Sequence, residues 1–232
     1  MKLAVCKKIA YLIGKIVHYG EQFFAPSYCV GCHVSVTQGH FLCQPCLGSI
    51  KPVATVTLPV TQKWSVCIHS VSFYQQPLIS LVSAKYYGNR LAAQQLGFLM
   101  WQRTSIAHLD FDYIVPVPLH WSRYAWRWYN QTEEMARVIS SLSGKPIVFC
   151  VKRIAYNKPQ ASLSRDERSE NMTGVFALSS DALLYKGKKI LIVDDVVTSG
   201  ATLRQMVYCL SKINPAQINA VVACRMYDVL QR

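Results

Sequence analysis

The stretch ILIVDDVVTSGATL, residues 190–203, decides the fold of this chain. Its first four residues are apolar and mostly β-branched, the composition of a parallel strand buried on both faces. Asp194 and Asp195 stand at the carboxyl end of that run, Thr198, Ser199 and Gly200 make a short hydroxyl-rich turn, and a helical pattern begins near Ala201. In an open α/β sheet, ligands bind outside the carboxyl ends of the strands, and a helix N-terminus turns unpaired N–H groups toward anions. The chemistry that fits is a phosphorylated sugar. Asp194 and Asp195 accept hydrogen bonds from vicinal hydroxyls, while Thr198, Ser199, Gly200, Ala201 and Thr202 wrap a phosphate. The alternative, a buried strand and tight turn, leaves two adjacent carboxylates without a use.

The same order of strand, acidic pair, hydroxyl-glycine loop and helix resembles the ribose-5-phosphate signature of type I phosphoribosyltransferases, whose ligand is phosphoribosyl pyrophosphate. The expected fold class is therefore α/β, a mostly parallel sheet flanked by helices, with a small N-terminal zinc-binding segment.

That segment is read from cysteine spacing. Cys29 and Cys32 form one Cys-x-x-Cys pair, Cys43 and Cys46 another, with ten residues between the pairs. Two such pairs aim four thiolates at one tetrahedral ion and leave no open position for water, so the zinc is structural. A redox pair or two unrelated thiol pairs is the other reading. A metal also accounts for a fold in a stretch with almost no apolar core of its own. The expected division is residues 1–50 for an N-terminal helix and the zinc segment, 51–65 for an extended linker, and 66–232 for the main domain.

The chain has 232 residues, 25 Lys+Arg against 12 Asp+Glu, and a formal charge of +13, a balance that suits phosphates, nucleic acid or an anionic surface. The first 24 residues are apolar, but lysines interrupt them and no cleavage site follows. They are too short and too charged to span a bilayer, and read as an amphipathic helix packed on protein or touching a membrane surface. Nine cysteines, five of them scattered in apolar surroundings, point to the cytoplasm rather than to a disulfide framework.

Residues 66–74 and 112–119 read as strands, the second ended by Pro116 and Pro118. Residues 78–85 and 91–101 have helical spacing. Residues 120–141 continue in a helix whose apolar stripe is Trp128, Met135, Ile139 and Leu142. The first half of that stretch interleaves Arg123 and Arg127 with tryptophans and tyrosines. Such a surface stacks bases and contacts phosphates, and it also arises where aromatics pack on a core while arginines snorkel outward. Residues 151–153 read as a short strand. Residues 157–171 are polar, with little to bury, which suits a mobile active-site flap or a solvated connection. A helix over 202–213 and a last strand over 218–223 close the chain.

The second half carries Pro116, Pro118 and His120, then Arg127, Asn130 and Gln131, then Pro159, Gln160, Leu163, Ser164, Arg165, Arg168 and Asn171. With the double Cys-x-x-Cys these resemble the ComF (competence protein F) family over essentially the whole chain. One departure is Trp128-Tyr129, where the family commonly has Gly-Phe. The resemblance implies a zinc segment, a phosphoribosyltransferase fold, a role in natural transformation and DNA uptake, and partners that include single-stranded DNA and a DNA-translocating helicase. It also implies a pyrophosphate loop after the first strand and helix, where Lys85 supplies charge, and closure of Arg165 or Arg168 over the ligand. In a transferase, Mg2+ bound with phosphoribosyl pyrophosphate neutralises the leaving group. Enzymes acting on 6-oxopurines place an aspartate at position 198. Thr198 cannot serve as a general base at neutral pH, which argues against that branch. Two readings stay open: a transferase with an unidentified acceptor, and a competence factor that binds the same ligand without turnover.

Overall fold

A computed structural model describes residues 28–37, 40–84, 89–119, 130–154 and 174–227. Among the described residues, five strands form the main sheet, β1 (Val56–Pro59), β2 (Ser65–Phe73), β3 (Tyr113–Pro116), β6 (Lys189–Val197) and β7 (Gln217–Arg225), in the order β1-β2-β7-β6-β3. The β2–β7, β7–β6 and β6–β3 pairings are parallel, and only β1 runs antiparallel to its neighbour. The α/β, mostly parallel architecture expected from residues 190–203 is therefore present.

Both faces of the sheet are covered. Helices α2 (Leu78–Ala84), α3 (Arg90–Arg103) and α4 (Gln131–Ser143) bury Leu81, Leu96, Met100, Met135 and Ile139 with Leu191, Val193, Val221 and Ala223. On the opposite face, helix α5 (Ala201–Ser211) buries Leu203, Met206, Val207 and Leu210 with Ile190, Ile192, Ala220 and Val222. Two-sided burial is why the central strands read as continuous apolar runs instead of alternating ones.

Some elements differ from the expectation. Residues read as an extended connection include β1, which pairs Leu58 with Val66 and buries Leu58 against the second core. Pro59 is tolerated because β1 is an edge strand. β6 runs four residues past Val193, since its register with β7 continues through Asp194↔Val222 to Val197↔Arg225. Residues 151–153 do form a strand, β4 (Val151–Arg153), but as half of a separate antiparallel pair with β5 (Phe176–Leu178), a partner the sequence did not suggest. In the apolar stripe of α4, Met135 and Ile139 are buried whereas Leu142 is 42% exposed. It lies in the last turn of the helix.

Helices α3 and α4 meet at Gly97. A Cβ there would lie 2.7 Å from the Met135 carbonyl oxygen and 2.9 Å from its Cα, both backbone atoms that cannot swing aside. Gly97→Ala is therefore expected to destabilise the chain by about 1–3 kcal/mol, the usual cost of overpacking. Thermal unfolding checks it: despite alanine's better helix propensity, the midpoint should fall, and an unchanged midpoint would mean the helices can part at no cost.

Candidate functional site

The chain leaves β3 toward α4 on one face and leaves β6 toward α5 on the other. Two adjacent parallel strands whose following helices lie on opposite faces leave a crevice at their carboxyl ends, the switch point where open α/β sheets bind ligands. The Asp194–Thr202 segment lies on this crevice because it runs from the last residues of β6 into the first turn of α5.

Asp194 is 7% exposed, and Asp195 beside it is half-buried. Each carboxylate accepts a hydrogen bond from the next backbone N–H, Asp194 Oδ1 from Asp195 at 2.9 Å and Asp195 Oδ1 from Val196 at 2.6 Å. These bonds fix the orientation of both carboxylates. Asp194, Thr198, Ser199, Gly200, Ala201 and Thr202 then line a small pocket of about 40 Å3. The loop residues expected to wrap a phosphate are thus brought together around one space.

Gly200 makes the turn possible. It takes a left-handed conformation, φ +75°, as the N-cap of α5, and a Cβ would lie 2.9 Å from Leu58 Cδ2 of β1. Arg204 steadies the loop from one helical turn on, its Nη1 donating to the Ser199 carbonyl at 2.8 Å. Gly200→Ala is expected to weaken anion binding roughly tenfold, since a β-carbon costs about 1–2 kcal/mol in this conformation and tilts the N–H groups of the loop. Titration with phosphoribosyl pyrophosphate checks it, and unchanged affinity would show that the loop geometry is not what holds the anion.

The β3 side of the crevice is built by residues that the sequence reading left without a settled role. Val117 N donates to the Val193 carbonyl at 2.9 Å, continuing the β3–β6 ladder to the sheet edge. The Val117 carbonyl accepts from Thr132 Oγ1 at 2.7 Å and from Asn130 Nδ2 at 3.4 Å. Asn130 Oδ1 in turn caps α4 by accepting from the Thr132 N–H at 3.2 Å. Asn130 and Thr132 are both buried, so they clamp the segment between β3 and α4 to its two ends. That segment contains Arg123 and Arg127, which lie outside the described residues, as do Lys85, Arg165 and Arg168. Lys85 follows α2, whose preceding strand β2 is separated from β6 by β7. The β3–α4 segment, by contrast, starts from the strand hydrogen-bonded to β6.

The four cysteines of the two pairs meet. The Sγ atoms of Cys29, Cys32, Cys43 and Cys46 lie within 4.8 Å of one another, and Cys32 and Cys43 are 3.5 Å apart. Four thiolates on zinc at about 2.3 Å stand about 3.8 Å apart, so the set fits that ion with small adjustments. Burial works to raise the Cys29 thiol, but hydrogen bonds from the backbones of Cys43, Cys32 and Gly31 outweigh it and bring it down to about 6. The neighbouring Cys32 thiol and burial push Cys46 well up. Thiolates this close cannot all ionise without a cation among them, a charge that a zinc ion would supply.

Comparison with known proteins finds a phosphoribosyl transferase domain and relatives named for competence and DNA utilisation. A phosphoribosyl transferase domain model matches residues 130–229. Competence protein F of Haemophilus influenzae is 31% identical over 106 residues, which cover 45% of this chain and 46% of that relative, about half its length. DNA utilization protein YhgH of Salmonella typhimurium is 28% identical over 212 residues, covering 86% of this chain and 84% of its own. Among solved structures, an allosteric regulatory enzyme of purine biosynthesis aligns with a TM-score of 0.40 at 16% identity, over 56% of this chain and 25% of that one. The sheet, the crevice and the domain match define a type I phosphoribosyltransferase fold with a four-cysteine segment at its N-terminal side. Over its length the chain is similar to the DNA utilization protein YhgH, and over about half of it to competence protein F.

Proposed function

We propose that this chain is a competence-associated DNA utilisation protein that binds phosphoribosyl pyrophosphate at the Asp194–Thr202 crevice and contacts single-stranded DNA in the cytoplasm. The observation that carries the proposal is the acidic pair fixed beside a glycine-turned loop at the switch point, with its loop residues lining one pocket. In this reading Asp194 and Asp195 hold the ribose hydroxyls, and residues 198–202 hold the 5-phosphate. Lys85 and the flap arginines Arg165 and Arg168 serve the pyrophosphate. The same carboxylate pair would hold a divalent ion, since hard cations take carboxylate oxygens. When bound with the pyrophosphate, Mg2+ supplies charge neutralisation. The names of the relatives supply the competence and DNA-utilisation context, and a DNA-translocating helicase is the partner such a role would bring.

A chain charged at +13 supports the nucleic-acid half of the reading. Single-stranded DNA affinity should fall steeply with salt and fall again with Arg123→Ala/Arg127→Ala; no affinity at low salt removes it. The second reading, a transferase, is favoured by the same intact crevice. Assays for pyrophosphate release across candidate bases separate the two, and release with any base makes the chain an enzyme. The described residues include no helix long and apolar enough to cross a membrane.

A further inference from the structure

A second built feature stands at the carboxyl edge of the sheet, one strand over from the phosphate loop, and the phosphoribosyl reading leaves it without a use. Phe73 ends β2, and Tyr227 lies two residues beyond the end of β7. Their rings stack, with centroids 3.9 Å apart and planes 20° from parallel. The Arg225 guanidinium lies over the Phe73 ring at 4.6 Å. A ring contact as close as Tyr227's fills one face of Phe73, so the guanidinium occupies the other. Arg225 is 6% exposed and donates from Nη2 to the Ala54 carbonyl at 3.4 Å. The result is a rigid column: buried cation, ring, ring.

Among the described residues, no further ring or cation packs on the top of the column. Tyr227 is 63% exposed, with one ring face on Phe73. Its hydroxyl donates to Gln75 Oε1 at 3.2 Å, so the ring is pinned at its tip as well as on its face. The strand end beneath is pinned too: the Tyr74 N–H donates to the Arg225 carbonyl and the Met226 N–H to the Val197 carbonyl, each at 2.9 Å. Val197 is the residue before Thr198 in the phosphate loop. The column therefore rises about one strand spacing, roughly 5 Å, from the start of that loop.

An aromatic ring fixed on one side and open on the other is a stacking surface whose rotational cost has already been met in the free protein. Every nucleobase has a π-face that fits it, and a planar base is the neighbour that the phosphoribosyl ligand and the basic charge of the chain both bring to this edge. We propose that the outer face of Tyr227 is a stacking platform for an unpaired nucleobase, either free or within a single strand, beside the phosphoribosyl loop. The placement rests on the phosphoribosyl reading of that loop; the platform itself rests on the column.

The test uses the full zinc-loaded chain and three probes at one fixed salt concentration. These are a thymidine oligonucleotide of about twelve residues, within the usual range of single-strand site sizes, an abasic sugar-phosphate strand of the same length, and free nucleosides. Wild type should bind the thymidine strand more tightly than the abasic one, and Tyr227→Ala should lose about tenfold of that preference. Affinity for the abasic strand should not move. Tyr227→Phe should keep the preference. Tyr227→Leu, which keeps an apolar contact to Phe73 but offers no π-face, should lose it. Competition by free nucleosides assigns the platform to a free base, and competition by the strand alone assigns it to nucleic acid. A Tyr227→Ala chain that discriminates as well as wild type overturns the proposal, and so does a wild-type chain that binds the two strands equally and no nucleoside. Calorimetry with phosphoribosyl pyrophosphate is run alongside. Absence of that binding with the base preference intact overturns the phosphoribosyl reading and leaves the platform standing.

Discussion

Asp194→Asn/Asp195→Asn is expected to abolish phosphoribosyl pyrophosphate binding in calorimetry with Mg2+, while the wild-type chain gives one site. Each carboxylate is taken to accept a hydrogen bond from a ribose hydroxyl, and bonds to charged groups contribute about 1.5–3 kcal/mol apiece. Two of them amount to roughly 3–6 kcal/mol, a loss of at least about a hundredfold in affinity. The substitution is chosen so that the fold survives. Asparagine matches aspartate in volume, and its carbonyl oxygen still accepts the backbone bonds now made from Asp195 and Val196 at 2.9 and 2.6 Å. The melting temperature should therefore stay close to that of wild type. Binding that persists in the double variant means the crevice does not hold a ribose, and the family resemblance has then been carried onto a site with another use.

The legible parts of this fold are those whose physics is local. An apolar run long enough for a doubly buried strand, two carboxylates, a glycine in a hydroxyl-rich turn and a helical pattern occupy consecutive residues, so strand, loop and helix could be placed from residues 190–203. The meeting of the four cysteines is legible for the same reason, since spacing within each pair fixes the turn. What could not be read depends on sheet order. Nothing in residues 56–59 separates an edge strand from an extended linker until Leu58 is seen beneath Gly200. A three-residue strand such as β5 has too few residues to show a period. The clamp of Asn130 and Thr132 on Val117, and the column of Arg225, Phe73 and Tyr227, join residues from different elements. The column needs the β2–β7 pairing before its members can meet, and the clamp needs the start of α4 brought back to the end of β3. An invariant local pattern would not have exposed them. The sequence signal for the clamp is Asn130 in its motif, and for the column an aromatic at the end of β2 and another just beyond β7.

The second large effect is expected on removing zinc. Cys29→Ser/Cys32→Ser should lose about one zinc ion per chain, the stoichiometry of a four-thiolate structural site, and should lower the melting temperature by about 10 °C or more. The size follows from how the segment is held. Cys29, Leu42 and Ile50 are buried in the same cluster as Leu81, Leu96 and Val193, so the zinc segment forms part of the main core. The Phe41 N–H donates to Gln95 Oε1 on α3 at 2.9 Å, and Gly31 lies against Pro77, where a Cβ would come within 2.9 Å of the proline Cβ. Helix α1 (Gln44–Gly48) has five residues, none of them buried, so it cannot hold the segment closed without the metal. Loosening it should release Pro77 and, two residues back, Gln75, which holds the Tyr227 hydroxyl. Chelated protein is therefore expected to lose base discrimination before it unfolds, whereas phosphoribosyl pyrophosphate binding at the far side of β7 persists to higher temperature. Metal analysis and thermal unfolding with and without chelator check the first part. If both ligands are lost together as the chain melts, zinc serves the fold as a whole and has no separate hold on the stacking edge.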